Sequence, residues 1–417
     1  MALPPRFRIA LAAALLIVAL FLTRLIWTNN IGTSSISSYV PKIHDSWRPS
    51  PPKPKIPVSY DKTTPPSIGC EDVVVGLQKK VIEAYAKELK GIRYANIFGY
   101  LGQTENKGDA AIWIAQDILL ATLGIKTMEV CRYIDKDCDF ERFSMALEAH
   151  KPHSAIIMAG GGNFNDLFWD DQPARIKMVE KFSDYPIRMF PQSINMTHPE
   201  KIKLTLDGFS KAKDLQLAAR DRPSYEWLKK TFGDKAAGIE PNKVRHILTP
   251  DVAFMFGSRP DIRLNTKKTH QIYILARDDS EVAEGASKEI AVGEGTFDFG
   301  PDAGHVSYLK NDWRKQTTPD LNGEEGKSQR NFAKTLMGFE MLAQAEFVIT
   351  DRLHGHIMST IMGIPHVLMD SRLKKNLFLH DTWTKECGCV RVAGSFEEAK
   401  EFARMYFEKK AKDEGLD

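Results

Sequence analysis

This chain is poor in the features that mark several common protein classes. Its 417 residues carry a formal net charge of only +3, and no basic run with interleaved aromatic residues occurs, so the sequence predicts no nucleic-acid partner. The patterns H-E-x-x-H, C-x-x-C and G-x-S-x-G are absent, which removes the usual sequence signals of zinc peptidases, dithiol redox sites and serine hydrolases. Five cysteines allow at most two disulfides and leave one thiol unpaired in a monomer, and the spacing does not reveal the pairing.

The N-terminus is distinguished by an apolar stretch. Residues 9–27 are apolar except for Thr23 and Arg24, and two arginines precede them. A bilayer requires about 20 such residues, and the basic flank favours a cytosolic N-terminus. The sequence therefore predicts a cytosolic tail over 1–8 and a transmembrane signal anchor over 9–27. A cleaved signal peptide is the alternative, but no small-x-small cleavage site follows at the right distance.

A proline-rich segment follows the predicted anchor. Residues 28–67 contain eight prolines among lysines, serines and threonines, a composition that favours a semi-rigid extended stalk. The order of anchor, stalk and body predicts a single-pass type II protein of the Golgi membrane, with its catalytic body in the lumen. One or two disulfides and the sequon at Asn195 fit an oxidising lumen.

The body of the chain alternates β-branched runs with helical patterns, which predicts an α/β fold. We place an N-terminal α/β domain at 68–257 and a C-terminal α/β domain at 268–417, because residues 257–268 are polar and lack periodicity. The segment 278–328 is rich in glycine and acidic residues and is predicted to form long loops over a site. Two doubly wound domains facing each other across a cleft are the economical interpretation.

The segment from Phe347 to His356 is the strongest candidate for a binding site. An apolar run ends in Asp351, Arg352 and His354 and is followed by a helix-compatible stretch. Ligands in α/β sheets lie at the carboxyl ends of strands, where a helix N-terminus attracts anions. An arginine suits phosphate or carboxylate, and a histidine transfers protons near neutral pH. The alternative is structural: Arg352 pairs with Asp351, and His354 caps the helix.

Three further segments follow predicted strands. Asn106-Lys107-Gly108-Asp109 places a carboxylate that either accepts a proton from a hydroxyl group or caps the helix. The loop Gly160-Gly161-Gly162-Asn163 lacks the dinucleotide-binding spacing but permits a ligand to approach the backbone closely. In Arg220-Asp221-Arg222 one arginine is expected to pair with Asp221, and we prefer Arg220 as the one that faces the cleft.

Two other patterns carry weaker signals. The acidic run at 135–139 contains overlapping D-x-D patterns, which suggest a metal site for a nucleotide-sugar, although Asp139 also makes a reasonable helix N-cap. Thr249-Pro250-Asp251 is interpreted as a structural turn.

Six motifs, in this order and spacing, resemble the polysaccharide pyruvyl transferase family over roughly Ala95 to Asp370. They are Asn106-Lys107-Gly108-Asp109, Gly160-Gly161-Gly162-Asn163, Phe190-Pro191-Gln192-Ser193, Ala219-Arg220-Asp221 with Ser224, Pro250-Asp251 and Thr350-Asp351-Arg352-Leu353-His354-Gly355. The anchored and stalked form is most similar to fungal members that pyruvylate galactose on cell-surface N-glycans.

This resemblance implies a GT-B-like pair of Rossmann-like domains and phosphoenolpyruvate as the donor, with no metal or other cofactor. The implied acceptor is a galactose-terminated glycan, which receives pyruvate as a 4,6-ketal. At neutral pH the donor carries a net charge near −3, so its burial requires at least two cationic side chains and several N–H donors. The resemblance implies that the donor is bound by Arg220, Arg352, Leu353 and His354.

A scheme for the reaction follows from these assignments. Asp109 deprotonates the attacking sugar hydroxyl, and His354 protonates the methylene carbon or stabilises the departing phosphate. We expect the donor also to contact Gly161, Gly162 and Asn163, and the acceptor to contact Asn106 and Asp109.

Two other functions remain open at this level. A nucleotide-sugar glycosyltransferase of the sialyltransferase type would require an acidic residue for ribose hydroxyls, and Asp370 is the available candidate. A non-catalytic lumenal glycan-binding protein would use the same fold for sugar recognition alone.

Overall fold

Short apolar strands alternate with helices along the body of the chain, and in a computed structural model these strands form two largely parallel sheets. The structure describes residues 58–99, 105–132, 138–233, 244–282, 290–317 and 326–415. The predicted α/β class is confirmed.

The first sheet contains eight parallel strands in the order β2-β1-β3-β5-β7-β6-β4, with β8 also paired to β7. Its strands are β1 Tyr94–Phe98, β2 Lys126–Cys131, β3 Ser154–Met158, β4 Gly161–Asn165, β5 Pro186–Met189, β6 Gln192–Asn195, β7 Asp214–Ala219 and β8 Val244–Leu248. The helices of this half are α1 Glu71–Glu88, α2 Lys107–Thr122, α3 Phe140–Glu148, α4 Asp171–Lys181, α5 Pro199–Phe209 and α6 Arg222–Phe232.

The second sheet contains six strands in the order β10-β11-β9-β12-β13-β14 and is parallel except for the β10–β11 pair. Its strands are β9 His270–Leu275, β10 Gly293–Asp298, β11 His305–Asn311, β12 Ala345–Thr350, β13 His366–Met369 and β14 Val390–Ala393. The helices here are α7 Pro260–Asn265, α8 Gly326–Ala343, α9 Leu353–Met362, α10 Lys375–Trp383 and α11 Phe396–Asp413.

Helices α1 and α2 connect the two halves. Val74 and Leu77 of α1 pack into the core of the second sheet, whereas Val81 and Tyr85 of the same helix pack into the core of the first. Helix α2 packs against both α8 and α9. Residues 54–417 consequently form one compact unit, and the division into two domains facing across a cleft stays a prediction.

Two predicted loops contain strands. Gly161 to Asn165 pair with β6 as β4, because a parallel neighbour satisfies the backbone groups of this glycine-rich segment. Residues 278–328 contain the hairpin of β10 and β11, in which Phe297 and Tyr308 stack with ring centroids 4.4 Å apart. The sequence did not predict this hairpin, because it lies in a segment rich in glycine and acidic residues.

The end of the predicted stalk is packed on the body. Val58–Tyr60 form a 3-10 helix in which Ser59 is fully buried, and Arg391 donates hydrogen bonds to the carbonyl oxygens of Thr64 and Pro65. Residues 58–67 therefore lie against β14, rather than in an extended spacer. The predicted tail, the anchor at 9–27 and the stalk up to residue 57 lie outside the described residues, and none of the described helices is long and apolar enough to cross a membrane.

The cysteines form two disulfides. Cys70 pairs with Cys387, Cys131 pairs with Cys138, and Cys389 is a buried free thiol. The expectation of one unpaired thiol is confirmed. In the acidic run, Asp139 accepts hydrogen bonds from the first turn of α3 as its N-cap, and positions 135 and 137 lie outside the described residues.

Candidate functional site

A pocket of about 610 Å³ lies among loops that follow strands of both sheets. The sequence-predicted site residues that line it are Asn106, Asp109, Gly162, Asn163, Arg220, Arg352, Leu353 and His354. Gly161 is not among the residues that line it, and its assignment to the donor site stays a prediction. Of the two arginines around Asp221, Arg220 lines the pocket and Arg222 is exposed.

The N-terminus of α9 forms one wall of this pocket. Strand β12 ends at Thr350, whose hydroxyl donates to Leu275 O at 3.0 Å and accepts from Arg352 N at 3.0 Å. These bonds fix the turn from which Arg352, Leu353 and His354 enter the helix. Helix α9 has no side-chain N-cap, so its first N–H groups and partial positive charge favour an anion.

The structural alternative for Arg352 does not hold. Its Nη2 atom donates to Asp312 at 2.5 Å and lies 3.3 Å from Asp279. Asp351 instead accepts from the backbone N–H of Arg277 at 2.9 Å. The guanidinium of Arg352 is thus held between two carboxylates of the second half, and its residue is 3% exposed.

Arg220 forms the centre of a buried ionic group. It donates to Asp251 Oδ2 at 2.7 Å and to Ser193 Oγ at 2.9 Å, whereas Asp221 caps α6 through Ser224. Nε2 of His354 lies 3.6 Å from the same Oδ2 of Asp251, which is longer than a hydrogen bond. Burial by itself would raise the pKa of Asp251, but His354 and Arg220 hold that pKa well below its usual range.

Asp109 is not the cap of its helix. The N-cap of α2 is Asn106, whose side chain accepts from Gly108 N at 3.1 Å. Asp109 instead lines the pocket, and burial raises its pKa, although His354 and Lys375 act in the opposite direction. A carboxyl group with a raised pKa is a stronger base than an ordinary aspartate and is suited to accept a proton.

Glycine at position 162 permits cations to approach the backbone of β4. A Cβ atom at this position would lie 2.7 Å from Nη2 of Arg220 and 3.3 Å from Nζ of Lys375. The next residue, Asn163, donates to Asp171 at 2.6 Å and accepts from Arg175 at 2.6 Å. Its amide is therefore fixed at the edge of the pocket.

Sequence reasoning missed several residues of this site. Asp251 was interpreted as part of a turn, although its position directly after the apolar run of β8 is the same signal that marked Arg220. The segment after β9 was expected to lie over a site, but its individual carboxylates were not assigned. Two residues, Trp313 and Lys375, carried no local signal because they follow no recognisable motif. The pocket-lining residues missed by the sequence include Phe168, Asp171, Arg277, Asp279, Glu281, Trp313 and Lys375.

Three buried nitrogen atoms of the described pocket make no hydrogen bond. They are Nε of Arg352, Nε1 of Trp313 and Nε2 of His354, and each belongs to a residue that is at least 92% buried. A buried polar group without a partner costs about 1–3 kcal/mol. The residues that line this pocket therefore include three with an unsatisfied nitrogen atom.

Comparison with known proteins agrees with this geometry. A family model described as polysaccharide pyruvyl transferase matches residues 106–372. The chain is 33% identical over 337 residues to pyruvyl transferase 1 of Schizosaccharomyces pombe, with 79% of each chain covered. Its alignment with EpsO of Bacillus subtilis shows 28% identity over 254 residues and covers 58% of this chain and 73% of that protein.

A solved structure shows the same fold. A functionally uncharacterised protein of Klebsiella pneumoniae superposes with a TM-score of 0.50 at 15% identity, covering 76% of this chain and 99% of that one. At this identity the similarity concerns the fold alone, whereas the family match spans most of the chain and includes the pocket-lining residues from Asn106 to His354. The chain therefore belongs to the polysaccharide pyruvyl transferase family.

Proposed function

We propose that this transferase moves pyruvate from phosphoenolpyruvate to a terminal galactose of a glycan, as a 4,6-ketal. The observation that carries the proposal is the convergence of Arg220, from the first sheet, and Arg352, from the second, on one pocket. A donor with a net charge near −3 requires such cations. The unpartnered nitrogens of Arg352, Trp313 and His354 supply hydrogen-bond capacity for its oxygens.

The proposed reaction uses groups on both sides of the pocket. Asp109 accepts the proton of one galactose hydroxyl, whose oxygen attacks the central carbon of the donor. His354 protonates the methylene carbon, which becomes the methyl group of the product, or stabilises the departing phosphate. The bond between the central carbon and the phosphate oxygen breaks, and the second hydroxyl closes the ketal while phosphate carries away its proton.

Asp251 is a positioning residue in this scheme. Its carboxylate lies beside both the guanidinium of Arg220 and the imidazole of His354. This carboxylate fixes the guanidinium of Arg220 and lies next to the group that donates a proton in the scheme.

Asp370, the candidate for binding the ribose hydroxyls of a nucleotide-sugar, has another role. Asp370 accepts a hydrogen bond from Ser371 N at 2.8 Å near the start of α10, and it does not line the pocket. We therefore favour phosphoenolpyruvate over a nucleotide-sugar as the donor. Stabilisation of the protein against heat by a nucleotide-sugar, but not by phosphoenolpyruvate, would reverse this preference.

We also propose that the catalytic body lies in the Golgi lumen, behind the sequence-predicted anchor. Support comes from the two disulfides, since disulfides persist in oxidising compartments. Protection of the body from protease in intact vesicles, and its loss on adding detergent, would test this location.

The activity is tested by incubating the full-length protein with phosphoenolpyruvate and a β-galactoside. We expect a product with the mass of the pyruvate ketal, together with an equal amount of released phosphate. Arg352→Ala and His354→Ala should abolish both signals, whereas Arg222→Ala, which changes an exposed arginine, should leave them unchanged. Normal turnover by the first two variants would remove these residues from the mechanism.

A further inference from the structure

Lys375 is the first residue of α10, and its side chain lines the pocket although the scheme above does not use it. Its side chain is only 11% exposed, and Nζ forms an ion pair with Glu281. A Cβ atom added to Gly162 would lie 3.3 Å from this Nζ and 2.7 Å from Nη2 of Arg220. The ammonium and guanidinium groups therefore approach the same glycine of β4.

Glu281 is the anion that compensates Lys375. It is 3% exposed and also pairs with Nη2 of Arg277 at 2.9 Å. Its backbone carbonyl accepts from Arg372 N at 3.0 Å, which holds it near the start of α10. An isolated buried ammonium is costly, so Glu281 occupies the place that another anion would take.

The two arginines of the proposed donor site do not suffice to neutralise the donor. Arg220 already pairs with Asp251, and Arg352 pairs with Asp312. Each guanidinium therefore brings a carboxylate of its own, and a donor with a charge near −3 requires a further cation. Lys375 also brings a carboxylate, Glu281, but Glu281 has a second cationic partner in Arg277. Glu281 can therefore stay paired when it leaves the ammonium, and Lys375 then supplies the further charge.

We propose that Lys375 is a donor-binding residue, whose ammonium exchanges Glu281 for an anionic oxygen of phosphoenolpyruvate beside Arg220. This inference rests on the proposed function and adds to it a residue and an exchange of partners. The carboxylate of Glu281 takes the position of a donor oxygen beside Lys375 and is displaced from it when the donor binds.

A pH dependence of donor binding follows from the groups around Lys375. Burial lowers its pKa to about 8, Glu281 raises the pKa, and Arg277 and Arg220 lower it. Asp109 also faces this ammonium across the pocket. The phosphate has its second pKa near 6, so between pH 7 and pH 9 the donor keeps its charge while Lys375 loses its proton. Donor binding should weaken about tenfold over this range.

The test is calorimetric titration of the full-length protein with phosphoenolpyruvate at pH 7, 8 and 9. Lys375→Gln should bind roughly 10- to 100-fold more weakly at pH 7, because a charge-assisted hydrogen bond is lost, and its affinity should not change up to pH 9. Lys374→Gln, which changes the exposed neighbouring lysine, should keep both the affinity and the pH profile of the wild type.

Glu281→Gln tests the exchange of partners. Because Glu281 raises the pKa of Lys375, this variant should lose donor affinity at a lower pH than the wild type. A merely structural role of Glu281 would leave that midpoint unchanged. If Lys375→Gln folds poorly, the double variant with Glu281→Gln removes both charges and should reproduce the weak binding that does not depend on pH.

Two failures are distinguishable. Absence of phosphoenolpyruvate binding by the wild-type protein would overturn the proposed function itself. Binding by the wild type, with equal affinity and pH profile in Lys375→Gln, would overturn only the inference about Lys375.

Discussion

The close approach of Gly108 to His354 allows the site to be perturbed without changing any side chain that we assign to catalysis or binding. Gly108 is the second residue of α2, and a Cβ atom built on it lies 2.6 Å from Nδ1 of His354 and 2.8 Å from its Cβ. Ordinary contacts between such atoms are about 3.5–4.0 Å. Gly108→Ala must therefore displace the imidazole by about 1 Å, either through the ring or through the start of α9.

The magnitude can be worked out for activity and stability separately. A displacement of about 1 Å from the reactive geometry costs about 100-fold in rate, which corresponds to roughly 2.7 kcal/mol. For stability, alanine improves helix propensity by about 1 kcal/mol, while overpacking costs about 1–3 kcal/mol. The net loss of stability should be at most about 2 kcal/mol, so the variant should fold and be nearly inactive.

The assay is the rate of phosphate release from phosphoenolpyruvate with a β-galactoside, measured beside the urea dependence of unfolding. Gly76→Ala is the matched control, because Gly76 also lies within a helix and its added Cβ would meet no atom within 4 Å. The control should keep full activity and be equally or more stable. A folded Gly108→Ala protein with a rate within about threefold of the wild type would refute the requirement for His354 at this position.

Three further predictions concern charge and covalent structure. Burial lowers the pKa of His366 to about 4 and of His380 to about 3. Below pH 6.5 the unfolded chain therefore binds more protons than the folded protein. The free energy of unfolding should fall on acidification, by roughly 2 kcal/mol per histidine at pH 5. Unfolding in urea at pH 7 and pH 5 measures this loss. Asp251→Asn should reduce turnover about 100-fold or more, because it removes the charge that fixes the buried guanidinium of Arg220 in the site; phosphate release at a saturating donor concentration is the measurement. Replacing Cys70 and Cys387 by serine should lower the free energy of unfolding by about 2–5 kcal/mol, measured by thermal and urea unfolding.

Each of these predictions has its own control. His380→Gln should reduce the sensitivity to acid, and an unchanged stability between pH 7 and pH 5 would contradict neutral buried histidines. Asp139→Asn changes a helix cap that does not line the pocket and should leave turnover intact. The disulfide between Cys131 and Cys138 spans only 7 residues against 317 for the other, so its removal should destabilise the protein less.

The alternation of strands and helices could be predicted from the sequence. Strand β12 and helix α9 are examples, since Phe347-Val348-Ile349 is a short apolar run and the following residues change to a helical pattern. The junctions of such units indicated Arg352, His354, Asp109 and Arg220, because side chains at the carboxyl ends of parallel strands point to one edge of the sheet. Periodicity and junction position are local properties, and a single sequence contains them.

Partners distant in the sequence could not be predicted in this way. Arg352 pairs with Asp312 and Asp279 rather than with adjacent Asp351, and Arg220 pairs with Asp251 rather than with adjacent Asp221. The sequence offered only adjacent carboxylates as partners: Asp351 in the structural alternative for Arg352, and Asp221 for one of its two flanking arginines. In the structure Asp221 caps α6, and Asp351 accepts the backbone N–H of Arg277. Which carboxylate reaches which cation depends on where α2, β7, α9 and the loop after β9 meet.

The sequence by itself determined the α/β class, the ends of strands where chemistry occurs and four titratable or cationic residues of the site, because these depend on local pattern. They are Asp109, Arg220, Arg352 and His354. Only the tertiary structure decided that Lys375 and Arg220 approach Gly162 together, that Glu281 compensates Lys375, and that Gly108 contacts His354. These contacts join segments more than 50 residues apart along the chain, and burial at the meeting point of the two sheets sets their distances and charges.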